Sequence, residues 1–118
     1  MTLNAVPPDE SARLALLSAS KLLDSEVDPA FDALVRLLGA QMNCPVAMIN
    51  LIDSHRLWAM ARIGIEQRQF SLLDAFCAAT ICQGDVVVIP DAQDDPRFKH
   101  NAWVTGPPHA RFYAGVPL

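Results

Sequence analysis

The sequence predicts an α+β fold in which helices pack around a largely antiparallel sheet. An aspartate followed by proline opens an amphipathic segment at residues 28–42, a pairing that caps and starts helices. Two apolar runs flank a polar turn at residues 53–55, the pattern of a β-hairpin. Side chains alternate along residues 111–118, as they do in a strand. A hairpin near the front of the chain, with helices around it, favours antiparallel pairing.

Two helices are predicted before the first strand. The first is expected from Asp9 to Leu23, where acidic residues stand at its positive end and leucines recur along it. Residues 1–8 before it are expected to form a flexible arm. The second helix, at residues 28–42, has apolar side chains at helical spacing. The side chains expected to be buried there are Phe31, Leu34, Val35, Leu38 and Met42.

The hairpin follows. Residues 45–52 are apolar on both faces, which is typical of a central strand. Residues 56–62 return as the partner strand, and Gly64 is expected to end it. Residues 66–71 are expected to form a polar connection.

The second half of the chain predicts shorter elements. In order they are a helix at residues 74–83, a strand at 86–89, a turn of helix at 95–100, a loop at 103–108 and a strand at 110–117. Gly84 is the expected stop of the helix. The final strand is expected to pair on one side only, either with residues 86–89 or with the hairpin, so that the sheet within this chain stays open at one edge.

Composition limits the classes of function. The 118 residues suffice for one domain, and a hydrophobic fraction of 52% allows one core. The net charge of −4 and the scattered basic residues predict no nucleic-acid partner. No apolar run reaches the roughly 18 residues of a membrane span, so no membrane partner is expected. Three cysteines without paired spacing favour a reduced, cytoplasmic protein.

Five groups of residues together resemble a known family. They are Arg13–Asp24 with Phe31–Asp32, Ala47–Asp53 with Arg56–Trp58, Phe76–Ile81, Val88–Ala92 with Asp95–Phe98, and Arg111–Leu118. In this order they resemble a bacterial GAF domain, as found at the front of diguanylate cyclases, phosphodiesterases and sensor kinases. The family's pattern would continue past Leu118 with a hairpin and a closing helix. The resemblance therefore implies an incomplete GAF-like domain over residues 9–118, with its output domain outside this chain.

A ligand site is predicted around the last strand. Arg111 and Tyr113 share one face of that strand, opposite Phe112. By the resemblance, this region borders the small-molecule pocket of the fold, and an arginine beside aromatic rings suits an anionic or planar ligand. The proposed ligand-binding residues are Cys77, Trp103, His109, Arg111 and Tyr113. The alternative is a structural ion pair between Arg111 and an aspartate, either Asp53 or Asp91.

Cys77 has two possible roles, one structural and one in redox sensing. Cys77 fits a small core residue, buried and without a disulfide, or alternatively a redox-sensing thiol. Cys77 and Cys82 would lie about 140° apart around a helix, which argues against a disulfide or a shared metal. The three histidines lack ligand spacing, and no nucleophile motif is present, so neither a metal nor catalysis is expected.

These observations lead to three hypotheses of function. The first is a cytoplasmic sensory module that binds a small ligand or senses redox state and signals to an output domain; its cofactor, if any, is unknown. The second is a ligand-free dimerisation module that pairs with its copy through the first helix. An enzyme is the third and least supported reading.

Overall fold

The protein is described by a computed structural model that covers residues 9–72 and 76–118. Its helices are α1 (Glu10–Ser20), α2 (Pro29–Met42), α3 (Cys77–Gln83) and α4 (Ala102–Thr105). Its strands are β1 (Ala47–Ile52), β2 (Arg56–Ile63), β3 (Gln69–Ser71), β4 (Val87–Ile89) and β5 (Tyr113–Gly115). Helices with antiparallel strands confirm the α+β prediction. Residues 11–70 form a first compact unit and residues 71–118 belong to a second.

Helix α2 begins and ends as its sequence predicts. The Asp28 carboxylate accepts a hydrogen bond from the backbone N–H of Ala30 at 2.8 Å, which satisfies one of the unpaired donors of the first turn. Proline follows at the first helical position. Asn43 ends the helix in the left-handed conformation, with φ of 52°.

The predicted burial of α2 is wrong for three of five side chains. Val35 is fully buried and Phe31 half-buried. Leu34, Leu38 and Met42 are instead 53%, 47% and 51% exposed. The helix packs on β1 and β2 through Val35 and comes closest at Gly39, where an added Cβ atom would lie 2.6 Å from the Ile63 side chain. This close approach buries a narrow face, and the neighbouring leucine stripe stays outside it.

The hairpin of β1 and β2 confirms the predicted pairing. Its register runs from Ala47 opposite Ile63 to Ile52 opposite Leu57, with a bulge between Ile49 and Asn50. Gly64 follows β2 with φ of 80°, and a Cβ atom there would lie 2.0 Å from the Pro45 carbonyl oxygen. Only glycine fits this position.

The sheet of the first unit differs from the prediction in two ways. Residues 69–71, expected to be a polar connection, form β3, and the strand order is β1-β2-β3. The central strand is therefore β2, and β1 lies at an edge among the described residues. Residues 57–61 of β2 are all buried, whereas β3 buries Phe70 and exposes both its neighbours. That short polar–apolar–polar alternation was the overlooked signal of β3.

Helix α1 is shorter than predicted. It ends at Ser20, and Lys21 already has a positive φ of 57°. None of its residues is fully buried, and Leu16 is 75% exposed. The connection to α2 is tied to the hairpin by Arg56, whose guanidinium binds both Asp24 oxygens at 2.9 and 2.8 Å. The predicted arm, residues 1–8, lies outside the described residues.

The second unit is built around α3 and a two-stranded sheet. Gly84 ends α3 with φ of 68°, as predicted; the expected first residues of that helix lie outside the described ranges. Strand β5 pairs antiparallel with β4, with Val87 opposite Gly115 and Ile89 opposite Tyr113. Of the two partners expected for the last strand, residues 86–89 or the hairpin, the structure has the first. The buried core consists of Phe76, Ala79, Val87, Ile89, Ala92, Phe98 and Val104.

Two short segments of the second unit correct the sequence prediction. Residues 95–100 form turns rather than a turn of helix, although the Asp95 carboxylate does accept the backbone N–H of Arg97 at 2.9 Å. Residues 102–105 form α4, where the sequence predicted a loop from residue 103 to 108. Asn101 caps it by accepting the backbone N–H of Trp103 at 2.8 Å. An asparagine two residues before a tryptophan was the missed helix start.

Within the described ranges, no helix has the length and apolarity needed to cross a membrane.

Candidate functional site

The Tyr113 hydroxyl joins β5 to α3. It lies 2.7 Å from the Thr80 hydroxyl and donates to the Cys77 sulfur at 3.6 Å. Cys77 and Thr80 are three residues apart and therefore share one face of α3. Cys77 is half-buried rather than buried, and Thr80 is 3% exposed. No disulfide forms among Cys44, Cys77 and Cys82, all within the described residues.

Glycine 115 makes room for this hydroxyl. Gly115 and Tyr113 are two apart on β5 and lie on the same face. A Cβ atom at Gly115 would lie 2.0 Å from the Tyr113 hydroxyl oxygen and 2.9 Å from the Thr80 hydroxyl. The Tyr113 side chain therefore lies over the backbone of Gly115, where there is no side chain, and reaches Thr80 on α3.

Aromatic rings border these polar groups. Phe76 lies between Tyr113 and Trp103, with ring centroids 5.2 and 6.5 Å away. It also meets Phe98 edge to face at 4.8 Å and 84°. We call Phe76, Cys77, Thr80, Trp103 and Tyr113 the tyrosine cluster. It places two hydroxyls and a thiol beside aromatic surface.

Trp103 is held by the short helix α4. The buried Asn101 side chain caps the helix, and the Trp103 carbonyl accepts the backbone N–H of Ala110 at 2.7 Å. These contacts bring the segment before β5 alongside α4. Trp103 is half-buried beside Phe76.

The other two predicted ligand residues lie in more open positions. His109 is exposed with φ of 56°. Arg111 is also exposed, and its Nη1 donates to the carbonyls of Val104 at 3.1 Å and Ala110 at 3.0 Å. The first of these bonds ties the start of the last strand to α4.

The expected ion pair of Arg111 with an aspartate is wrong. Asp53 lies 3.6 Å from the Arg56 guanidinium, and the Asp91 carboxylate accepts the backbone N–H of Gln93 at 3.0 Å. Among the described residues, backbone carbonyls take the place of the carboxylate as partners of Arg111.

Burial keeps the Tyr113 hydroxyl protonated and raises its pKa. Removal from water raises the pKa of Tyr113 well above its ordinary value, and the neighbouring Cys77 adds to that rise. The bond from Thr80 lowers the pKa by less. Tyr113 therefore remains a protonated phenol at physiological pH, able to donate or accept a hydrogen bond but unsuited to act as a base.

The described residues contain no group of three His, Cys, Asp or Glu side chains arranged to hold a metal ion. The cluster's donor set, hydroxyls and one thiol among aromatic rings, suits a small planar molecule better than an ion.

Three of the five predicted site residues thus come together: Cys77, Trp103 and Tyr113. Sequence reasoning missed Thr80 and Gly115 as members of the site. The three-residue spacing of Cys77 and Thr80, and the two-residue spacing of Tyr113 and Gly115, were the available signals. That the two pairs meet depends on the packing of β5 against α3.

Comparison with known proteins defines the class. The profile of the GAF domain matches residues 26–118, most of the chain. The chain therefore belongs to the GAF domain family, as its sequence predicts.

One characterised relative is a cyclic di-GMP phosphodiesterase of Pseudomonas aeruginosa, 38% identical over 112 residues. The match takes in 95% of this chain but 19% of that relative. The chain thus corresponds to about a fifth of a signalling protein's length.

Proposed function

We propose that this chain is a non-catalytic sensory domain that binds a small ligand or senses redox state at the tyrosine cluster. The observation that carries the proposal is the Tyr113 hydroxyl, half-enclosed and bonded to Thr80 and Cys77 beside aromatic rings. A planar ligand could stack on such rings and exchange hydrogen bonds with the hydroxyls. We place this activity in the cytoplasm, because three cysteines without paired spacing suit a reducing compartment. We propose no nucleic-acid partner, since the net charge is −4.

Signalling would pass to an output domain outside this chain. The relative from Pseudomonas aeruginosa is a cyclic di-GMP phosphodiesterase, and this chain aligns with a minor part of it. We propose a phosphodiesterase output on that ground, with diguanylate cyclases and sensor kinases as further candidates from the family resemblance. A ligand regulates such an output only through different affinities for two states of the domain.

The ligand arm is tested by displacing the Tyr113 hydroxyl with a side chain at Gly115. Wild type, Gly115→Val and Ala114→Val are purified identically and analysed by native mass spectrometry for a retained small molecule. Ala114 is the matched control because it is adjacent to Gly115 in the same strand but lies on the opposite, exposed face. We expect wild type and Ala114→Val to retain the same molecule and Gly115→Val to lose it. Equal retention by all three proteins would contradict binding at the cluster.

The redox arm is tested through Cys77 alone. In a Cys44→Ser, Cys82→Ser background, peroxide oxidation of the remaining thiol is followed by mass spectrometry. A redox-sensing Cys77 should oxidise reversibly, and Tyr113→Phe should change the rate because it removes the hydrogen bond to sulfur. A thiol that neither oxidises nor responds to Tyr113→Phe would exclude this arm.

A second candidate function is dimerisation, because helix surfaces in the first unit expose leucines. The predicted interface is α1, where Leu16 is 75% exposed. Helix α2 adds a second exposed stripe, composed of Leu34, Leu37, Leu38 and Met42. Contiguous apolar surface of this kind commonly marks an interaction site.

Sedimentation of charge variants distinguishes the helices. Dimerisation through α1 requires Leu16→Glu to shift the protein toward monomer, while Leu38→Glu leaves the dimer intact. The reverse result would move the interface to α2. A wild-type protein that is monomeric at high concentration would exclude the dimerisation function.

A further inference from the structure

The Arg68 guanidinium lies over the Trp58 ring in the first unit. Its guanidinium carbon lies 4.3 Å from the tryptophan ring centroid, within the range of a cation–π contact. Its Nε donates to the Ala59 carbonyl at 3.2 Å, and its own backbone carbonyl accepts the Ala59 N–H at 2.6 Å. Trp58 is 5% exposed, so the guanidinium rests on an enclosed ring. The guanidinium is therefore oriented by two side-chain contacts, one with the Trp58 ring and one with the Ala59 carbonyl.

One nitrogen of this guanidinium, Nη2, lacks a hydrogen-bond acceptor among the described residues. The Nη2 atom is buried. Asp24, whose carboxylate feels the positive charge of Arg68, has both oxygens bound to Arg56 instead. A buried donor on a permanent cation is costly without an acceptor, since it has lost its hydration.

We infer that Arg68 binds an oxyanion, the carboxylate or phosphate of a small molecule, through Nη2 over the Trp58 ring. An anionic oxygen supplies both the missing acceptor and the opposite charge, and such bonds are strong where water is excluded. Arg68 is half-buried and directly follows the exposed residues Glu66 and Gln67. The inference goes beyond the regulatory role, because it requires neither the tyrosine cluster nor an output domain.

Tryptophan fluorescence gives a direct test. The chain has two tryptophans, so Trp103→Phe leaves Trp58 as the sole reporter beside Arg68. Sodium phosphate or sodium acetate is titrated into this protein against sodium chloride at constant ionic strength. We expect a saturable change with at least one anion, and the preferred anion names the ligand class. In Arg68→Met the apparent affinity should fall at least about tenfold. Arg36→Met, which removes an equal charge from exposed α2, should leave it unchanged.

Thermal unfolding separates this role from a structural one. In chloride buffer Arg68→Met should melt close to the wild-type temperature, because the lost contacts with Trp58 and the Ala59 carbonyl are offset by the removal of an unsatisfied buried donor. Added phosphate or acetate should then stabilise wild type alone. A large loss of stability in Arg68→Met, or the absence of any saturable response in wild type, would overturn the inference. Tyr113→Phe should bind the anion normally, so failure of the ligand site at the cluster leaves this result readable.

Discussion

The Tyr113 hydroxyl connects two elements that are far apart in sequence. It bonds to Thr80, 33 residues earlier, at 2.7 Å. Tyr113→Phe removes this bond and leaves the buried Thr80 hydroxyl without it, so we expect a loss of about 1–3 kcal/mol in the free energy of unfolding. Urea denaturation measures the loss.

The Thr80→Val variant completes a double-mutant cycle with Tyr113→Phe. Once the threonine hydroxyl is gone, removing the tyrosine hydroxyl should cost less than it does in wild type. Additive effects of the two substitutions would show that the bond contributes nothing.

Gly115 is the second residue on which the tyrosine orientation depends. Gly115→Ala places a Cβ atom 2.0 Å from the Tyr113 hydroxyl oxygen, so the tyrosine has to move. We expect about 1–3 kcal/mol of destabilisation from this overpacking, measured by urea denaturation. Ala114→Val, on the exposed face, should stay within about 0.5 kcal/mol of wild type. A neutral Gly115→Ala would show that the ring has another comfortable position.

At the scale of single elements, α2 separates helix formation from burial. Val35 is fully buried, whereas Leu38 is 47% exposed. Val35→Ala should cost about 2–3 kcal/mol through the cavity that it leaves, and Leu38→Ala less than about 1 kcal/mol. Thermal or urea unfolding of both variants at low protein concentration gives the comparison. If Leu38→Ala costs as much as Val35→Ala, and more at higher concentration, another chain covers the leucine stripe.

Short elements depend on their caps more than on their length. Helix α4 has four residues, too few for stability by itself. The Asn101 side chain and the Arg111 bond to the Val104 carbonyl hold its two ends. The sequence predicted a loop there because a four-residue helix shows almost no periodicity.

At the scale of the whole molecule, two aspartates make stability depend on pH. The hydrogen bonds from Arg56 lower the pKa of Asp24, and those from Arg97 lower the pKa of Asp95. Both folded-state values lie below the unfolded value of about 3.9. Their contribution is therefore full above about pH 4 and is lost as the pH falls through the folded values.

Urea denaturation across that range tests this dependence. Wild type should lose stability on acidification below about pH 4. Asp95→Asn should lower stability at neutral pH and flatten the acid slope, because it removes the titrating group. An unchanged acid slope in Asp24→Asn and Asp95→Asn would assign the dependence to other carboxylates.

The sequence by itself determined the elements whose signals are local. The Asp28–Pro29 pair predicted α2, the apolar runs about residues 53–55 predicted the hairpin, and the ordered segments predicted the GAF family. Capping, turn formation and alternation depend on a few neighbouring residues, and a single sequence contains that information.

Only the tertiary structure decided which faces are buried and which distant groups meet. Leu34 and Val35 are neighbours with similar side chains, yet Leu34 is half exposed and Val35 is buried. The difference arises because α2 contacts the sheet on the face that contains Val35 and Gly39. Thr80 meets Tyr113 because β5 packs beside α3. Such contacts depend on the relative placement of whole elements, so no local pattern along the chain encodes them.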